Sequence, residues 1–351
     1  MNNSCLKFIG AIGIMCFLFA CRSDKPKDEV EPNITITPNT GVIVINEGVF
    51  PVENSTVGYY NASDNSYVYD LFEPINKRQL GSVFQSMIVI NRKAYLIIND
   101  SKKIEIVNAE SFVSLGTITG LRSPRYLLPV SNGKAYLSNY TTDLIDIVDL
   151  NTNTVKGTIS CGYGKFNEEM VLSYGKAYVT CPGSNNVYVI NTRTDVVEDS
   201  IPVGRGASNI EEDADGKLWV LCFGKESTKE LAGLYRIDPI SNKVEWSANF
   251  KDETIHPANL VSDGTHENLF YTSNEGVFKF PITDTSLPAS VLIPRGGMYL
   301  YGLGIDPKDG TIYVGDAVNF TSDGKVLRYQ PNGTFINSFT AGFGPNGFYF
   351  N

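Results

Sequence analysis

The chain has 351 residues, with 29 Lys and Arg against 38 Asp and Glu, a formal net charge of −9, and two histidines. No basic excess is left to neutralise phosphates, which argues against nucleic-acid binding, and two imidazoles exclude any metal site built from three. A hydrophobic fraction of 42% supports a real core, while 32 glycines, 11% aromatics and 19% charge describe a β-rich, turn-rich chain. Length alone suggests about two domains.

Lys7 is the only charge in residues 1–20, and an apolar run follows from Phe8 to Phe19. That run is too short to span a bilayer and reads as a signal-peptide core. It ends in Leu18-Phe19-Ala20-Cys21, which resembles the bacterial lipobox and makes Cys21 the expected lipidated N-terminus; an ordinary secretory signal is the alternative. Acyl chains would anchor the protein without a transmembrane helix. Residues 21–40 read as a solvated tether, rich in proline and charge. Arg22, rather than Asp, follows the cysteine, which favours the outer membrane over inner-membrane retention. The expected location is therefore the outer membrane, lipid-anchored and at the cell surface. Cys161, Cys181 and Cys222 remain, an odd and sparse set that does not make a disulfide framework, and the equivalent repeat positions of Cys181 and Cys222 suggest buried small apolar side chains.

From Gly41 onward two phrases recur. Lys93-Ala94-Tyr95-Leu96, Lys134-Ala135-Tyr136-Leu137 and Lys176-Ala177-Tyr178-Val179 are near-copies, with looser versions around Trp219, Phe270 and Tyr313. The aromatic steps are 41, 42, 41, 51 and 43 residues. A second apolar phrase follows each time, as in Ile104-Glu105-Ile106-Val107 and Ile145-Asp146-Ile147-Val148. An earlier copy begins at Val42, which makes seven. Turn chemistry such as Ser131-Asn132-Gly133 and Asp215-Gly216 separates the runs, so consecutive strands form hairpins. A period near 42 with four strands per unit marks a blade of an all-β, seven-bladed β-propeller. The first copy lacks an opening strand, and the C-terminal Phe348-Tyr349-Phe350 resembles one. It is expected to close the first blade and the ring, making residues 41–351 a single domain rather than two.

In this arrangement one face collects the connections between blades and the loops between each blade's second and third strands. These loops are longer, more varied and more aromatic than those opposite, so a ligand is expected there. The candidate residues are Asn46, Glu47, Phe50, Arg122, Arg125, Tyr140, Tyr163, Phe166, Arg205, Phe223, His256, Asn259, Arg295, Tyr299, Phe320, Phe343 and Asn346, with Gln85 and Tyr301 beside them. Flat apolar rings mixed with amide and guanidinium donors suit a bulky, partly apolar, hydrogen-bonding ligand. Packing between blades is the alternative role for each aromatic, and pairing with Glu47, Glu168 or Asp316 for each arginine. His256 is the one lone candidate base; no phosphate loop, nucleophile elbow or oxygen-ligand cluster stands out. No catalytic residue and no metal site is assigned, and a non-enzymatic role is expected.

Lys176-Ala177-Tyr178-Val179-Thr180 and Asn186-Val187-Tyr188-Val189-Ile190-Asn191 resemble the YncE-like, YVTN-type seven-bladed propellers. Ile45-Asn46-Glu47-Gly48, the segment from Leu80 to Met87, and Ser123-Pro124-Arg125-Tyr126 resemble the lipidated propellers of the DUF5074 family. That resemblance covers roughly residues 41–351 and includes BtuG-type surface lipoproteins. It implies that the chain binds cobalamin (vitamin B12) or a related corrinoid and passes it to a TonB-dependent outer-membrane transporter. A propeller enzyme of lactonase or lyase type, and a surface adhesion or glycan-binding module, are the competing readings.

Overall fold

Each repeat of the sequence folds into one antiparallel four-stranded sheet, and the described residues form seven of them. The computed structural model describes residues 41–162 and 166–350; the expected signal segment, the tether, Cys21 and Tyr163 lie outside these. Blade II shows the rule. Its strands Phe84–Ile90, Lys93–Ile98, Lys103–Asn108 and Ser114–Ile118 pair in sequence order from the inside outward. The turn between its first two strands is the Asn91-Arg92 pair, with φ of 51° and 64°. Two left-handed residues are what the twist of a tight hairpin demands. The inner strands of the seven blades contact one another in a closed circle around a central channel.

The repeated aromatic explains why the blades hold together. Tyr95, Tyr136, Tyr178, Trp219, Phe270 and Tyr313 are all fully or almost fully buried. Each lies in a cluster shared with the following blade: Tyr136 with Ala177 and Val179, Tyr178 with Leu218 and Val220. Burial of a large ring supplies the apolar driving force, and its polar end then needs a partner. The Tyr178 hydroxyl shares its one proton between the Pro239 carbonyl at 2.8 Å and Asn242 Oδ1 at 2.9 Å, both in the outer turn of the next blade. Tyr136 reaches Asp195 in the same way. Cys161, Cys181 and Cys222 are buried within these clusters, as the sequence indicated for Cys181 and Cys222, and none forms a disulfide.

The expected closure is present. Strand Pro345–Phe350 pairs antiparallel with Gly41–Asn46, with Val42 opposite Phe350 and Asn46 opposite Pro345, so blade I takes its inner strand from the C-terminal end. Asn46 fastens the join from inside. It is fully buried, donates to Thr56 Oγ1 at 3.0 Å and Tyr67 Oη at 3.1 Å, and accepts from the Gly342 amide at 3.1 Å.

Candidate functional site

The start of each inner strand departs from regular pairing in the same place. In blade II, Phe84 faces Ile98 and Ser86 faces Ile97, so Gln85 is left over. Ser208, Tyr301 and Asn346 are left over in the same manner, and one extra residue lies within Arg125-Tyr126 and within Asn259-Leu260. In blade IV, Glu168 and Glu169 both bond to Thr180, through the Glu168 amide and the Glu169 carbonyl. A β-bulge bends the strand and re-aims its side chain. Repeated in every blade, it turns a circle of polar groups into the mouth of the channel.

That mouth is a cavity of about 500 Å³ lined by Glu47, Gln85, Arg125, Tyr126, Glu168, Glu169, Ser208, Asn209, Phe223, His256, Asn259, Tyr301 and Asn346. Arg125 is its hub. Its Nε donates to Glu168 at 2.8 Å, its Nη1 to Gln85 Oε1, and its guanidinium lies 5.1 Å from the Tyr140 ring centroid. Across the opening Tyr301 donates to Glu47, and Asn346 Nδ2 donates to the same carboxylate at 3.4 Å. Burial outweighs these donors and Arg125, so the Glu47 carboxyl stays above its usual range. Deeper in, Glu169 accepts from Asn209 Nδ2 at 2.7 Å and from the Ile210 amide at 3.0 Å. Protein nonetheless encloses it, and burial with the nearby Glu211 charge pushes its carboxyl up to about 8. Burial pushes Glu211 itself up to about 7. Tyr126 and Glu169 also line a second space of about 330 Å³ further down the channel, walled mainly by Met87, Leu127, Leu128, Met170, Ile210 and Leu260.

Aromatic rings stand above the mouth. Tyr140 packs on Phe166 at 4.5 Å, and Phe320 meets Tyr299 at 4.9 Å and Tyr301 at 4.8 Å, both edge-on. Phe50 is 69% exposed, and Tyr140, Phe223 and Tyr299 lie between 40% and 49%. On the opposite face Tyr174 is the exposed aromatic of the short turns among the described residues.

Of the residues expected from sequence, Glu47, Arg125, Phe223, His256, Asn259 and Asn346 meet in the mouth cavity, with Tyr140, Phe166, Tyr299 and Phe320 around it. His256 Nε2 lies 3.7 Å from Glu226. The others serve the scaffold or stand apart. Asn46 is buried in the closure, and Arg122 pairs with Asp146 in a separate groove. Arg205 donates to the Gly183 carbonyl at 3.4 Å and Arg295 to the Met298 carbonyl at 2.9 Å. The Phe343 carbonyl accepts from Gly48, and Phe50 projects from the loop after Glu47, beyond the cavity. Sequence reasoning missed Glu169, Ser208 and Asn209. Their signal was an extra polar residue at the head of each inner strand.

The chain belongs to the family described as "Domain of unknown function (DUF5074)", whose model matches residues 40–346. No curated protein matches it. Among solved structures, a quinonprotein alcohol dehydrogenase-like protein from Bacteroides thetaiotaomicron aligns with a TM-score of 0.69 at 15% identity, covering 89% of this chain and 78% of that one. The periplasmic gluconolactonase of Pseudomonas aeruginosa aligns at 0.67 and 11% identity, covering 89% and 98%. A dihydro-heme d1 dehydrogenase aligns at 0.59 and 12% identity, covering 91% and 76%. At such identities the likeness shows the propeller fold alone.

Proposed function

We propose that this protein is a lipid-anchored, surface-facing binder that captures cobalamin or a related corrinoid at the channel mouth and hands it to a TonB-dependent transporter. One observation carries the reading: the bulged inner strands set a circle of amide, guanidinium and carboxyl groups beneath a rim of exposed aromatic rings. A ligand with a broad apolar body and an amide-rich edge matches both layers. Protonated carboxyls such as Glu169 add donors for amide oxygens. The mouth is built on strands, which limits the ordering cost of binding. Calorimetric titration of the purified protein with cyanocobalamin is expected to give saturable heat. Arg125→Ala and Phe223→Ala are each expected to weaken it about tenfold or more, roughly 1.4 kcal/mol per tenfold. Absence of heat at micromolar concentrations would sink the reading.

A second reading rests on Glu169, a carboxyl pushed up to about 8 in a polar cavity and so suited to proton transfer. A sugar-lactone hydrolase is the corresponding activity. Lactone turnover abolished by Glu169→Gln, with cyanocobalamin silent, would select it.

A further inference from the structure

Blade VI breaks the repeat. Its outer strand shrinks to Ile293–Pro294, and residues 282–292 run over the blade as an irregular segment in place of a full strand. The longest step between repeat aromatics, 51 residues, lies just before it, between Trp219 and Phe270, and takes in the connection from blade V to blade VI. The irregular segment leaves a cavity of about 270 Å³ between blades V and VI, separate from the mouth. Its walls are Phe250, Ile255, Tyr271, Phe278, Leu287 and Pro288. Tyr271 and Phe278 stack at 5.3 Å and 7°, and Phe250 meets Tyr271 edge-on at 5.6 Å.

Charge of both signs marks the entrance. Lys251 Nζ lies 3.1 Å from Glu275 Oε1, and these side chains are 67% and 48% exposed. So exposed a pair holds its geometry weakly and can open at little cost. We propose that this pocket binds a free aromatic α-amino acid. The ring lies among the aromatic walls, the carboxylate meets Lys251, and the ammonium meets Glu275. An ion with both charges a short distance from a flat ring matches the aromatic walls and the charged pair at the entrance. The loop from Phe250 to Pro257 supplies Phe250, Lys251 and Ile255 here and His256 and Pro257 to the mouth, so the two sites share one connection.

The chain's two tryptophans, Trp219 and Trp246, sit in the same core cluster as the pocket walls and report on it. Titration of the purified protein with L-phenylalanine is expected to give a saturable fluorescence change. Phenethylamine and hydrocinnamate, each lacking one charge, are expected to bind about tenfold more weakly, as is L-phenylalanine to Lys251→Gln or Glu275→Gln. Arg125→Ala, in the mouth, is expected to leave this binding unchanged. No saturable change at millimolar L-phenylalanine overturns the proposal. So does equal binding of all three compounds, indifference to both substitutions, or loss of binding in Arg125→Ala.

Discussion

At the scale of single residues, the channel carboxyls set the most direct expectation. Glu169 has an ordinary value of 4.5 and a folded value of about 8. Between these the folded state holds a proton that the unfolded chain releases, so stability present below 4.5 is lost as pH rises through 8. Glu211 adds to the same trend, moving from 4.5 to about 7. Thermal melting temperature is therefore expected to fall between pH 5 and pH 8. Glu169→Gln removes the ionisation and keeps one oxygen to accept from Asn209, at the expense of the Ile210 amide bond, so it should flatten that slope. An unchanged slope in the variant would show that Glu169 ionises freely in the fold. Asp238 runs the other way: bonds from Ser241 and Lys217 hold it near 2, so its contribution is lost only in strong acid.

At the scale of elements, the closing strand rests on glycine. A Cβ on Gly315 would lie 2.0 Å from the Pro345 carbonyl oxygen, and one on Gly302 2.6 Å from the same atom. Blade VII thus meets the start of the C-terminal strand backbone to backbone, where the mouth bulge turns Asn346 inward. Gly315→Ala forces the two strands apart and is expected to destabilise by about 1–3 kcal/mol, read by chemical denaturation. A variant as stable as the parent would mean that the contact is looser than its geometry. The same elements show what the sequence displayed and what it hid. The buried aromatic recurs as a side chain, so the blades could be counted from it. A bulge is a backbone event, one unpaired residue in a ladder, and it leaves only a polar residue among other polar residues. Hence Arg125 was legible while Ser208, Asn209 and Glu169 were not. Loop position also misplaced Arg122 and Asn46, because Asp146 draws Arg122 aside and the Gly342 segment covers Asn46.

At the scale of the whole molecule, stability depends on the ring being complete. Removing residues 345–351 takes away the inner strand of blade I and bares the row of backbone groups on Gly41–Asn46. An unpaired apolar edge invites pairing between chains, so the truncated protein is expected to self-associate and to melt lower than the parent. Size-exclusion chromatography and a thermal melt check both; a monomer melting with the parent would contradict the closure.

The same pairing fixes where the chain enters the ring. Val42 stands opposite Phe350, so Gly41 and the end of the C-terminal strand lie side by side at the short-turn face, while Asn46 and Pro345 lie at the mouth. The two ends of the described ring therefore sit on the face away from the mouth, and the rim around the cavity is left to the connecting loops.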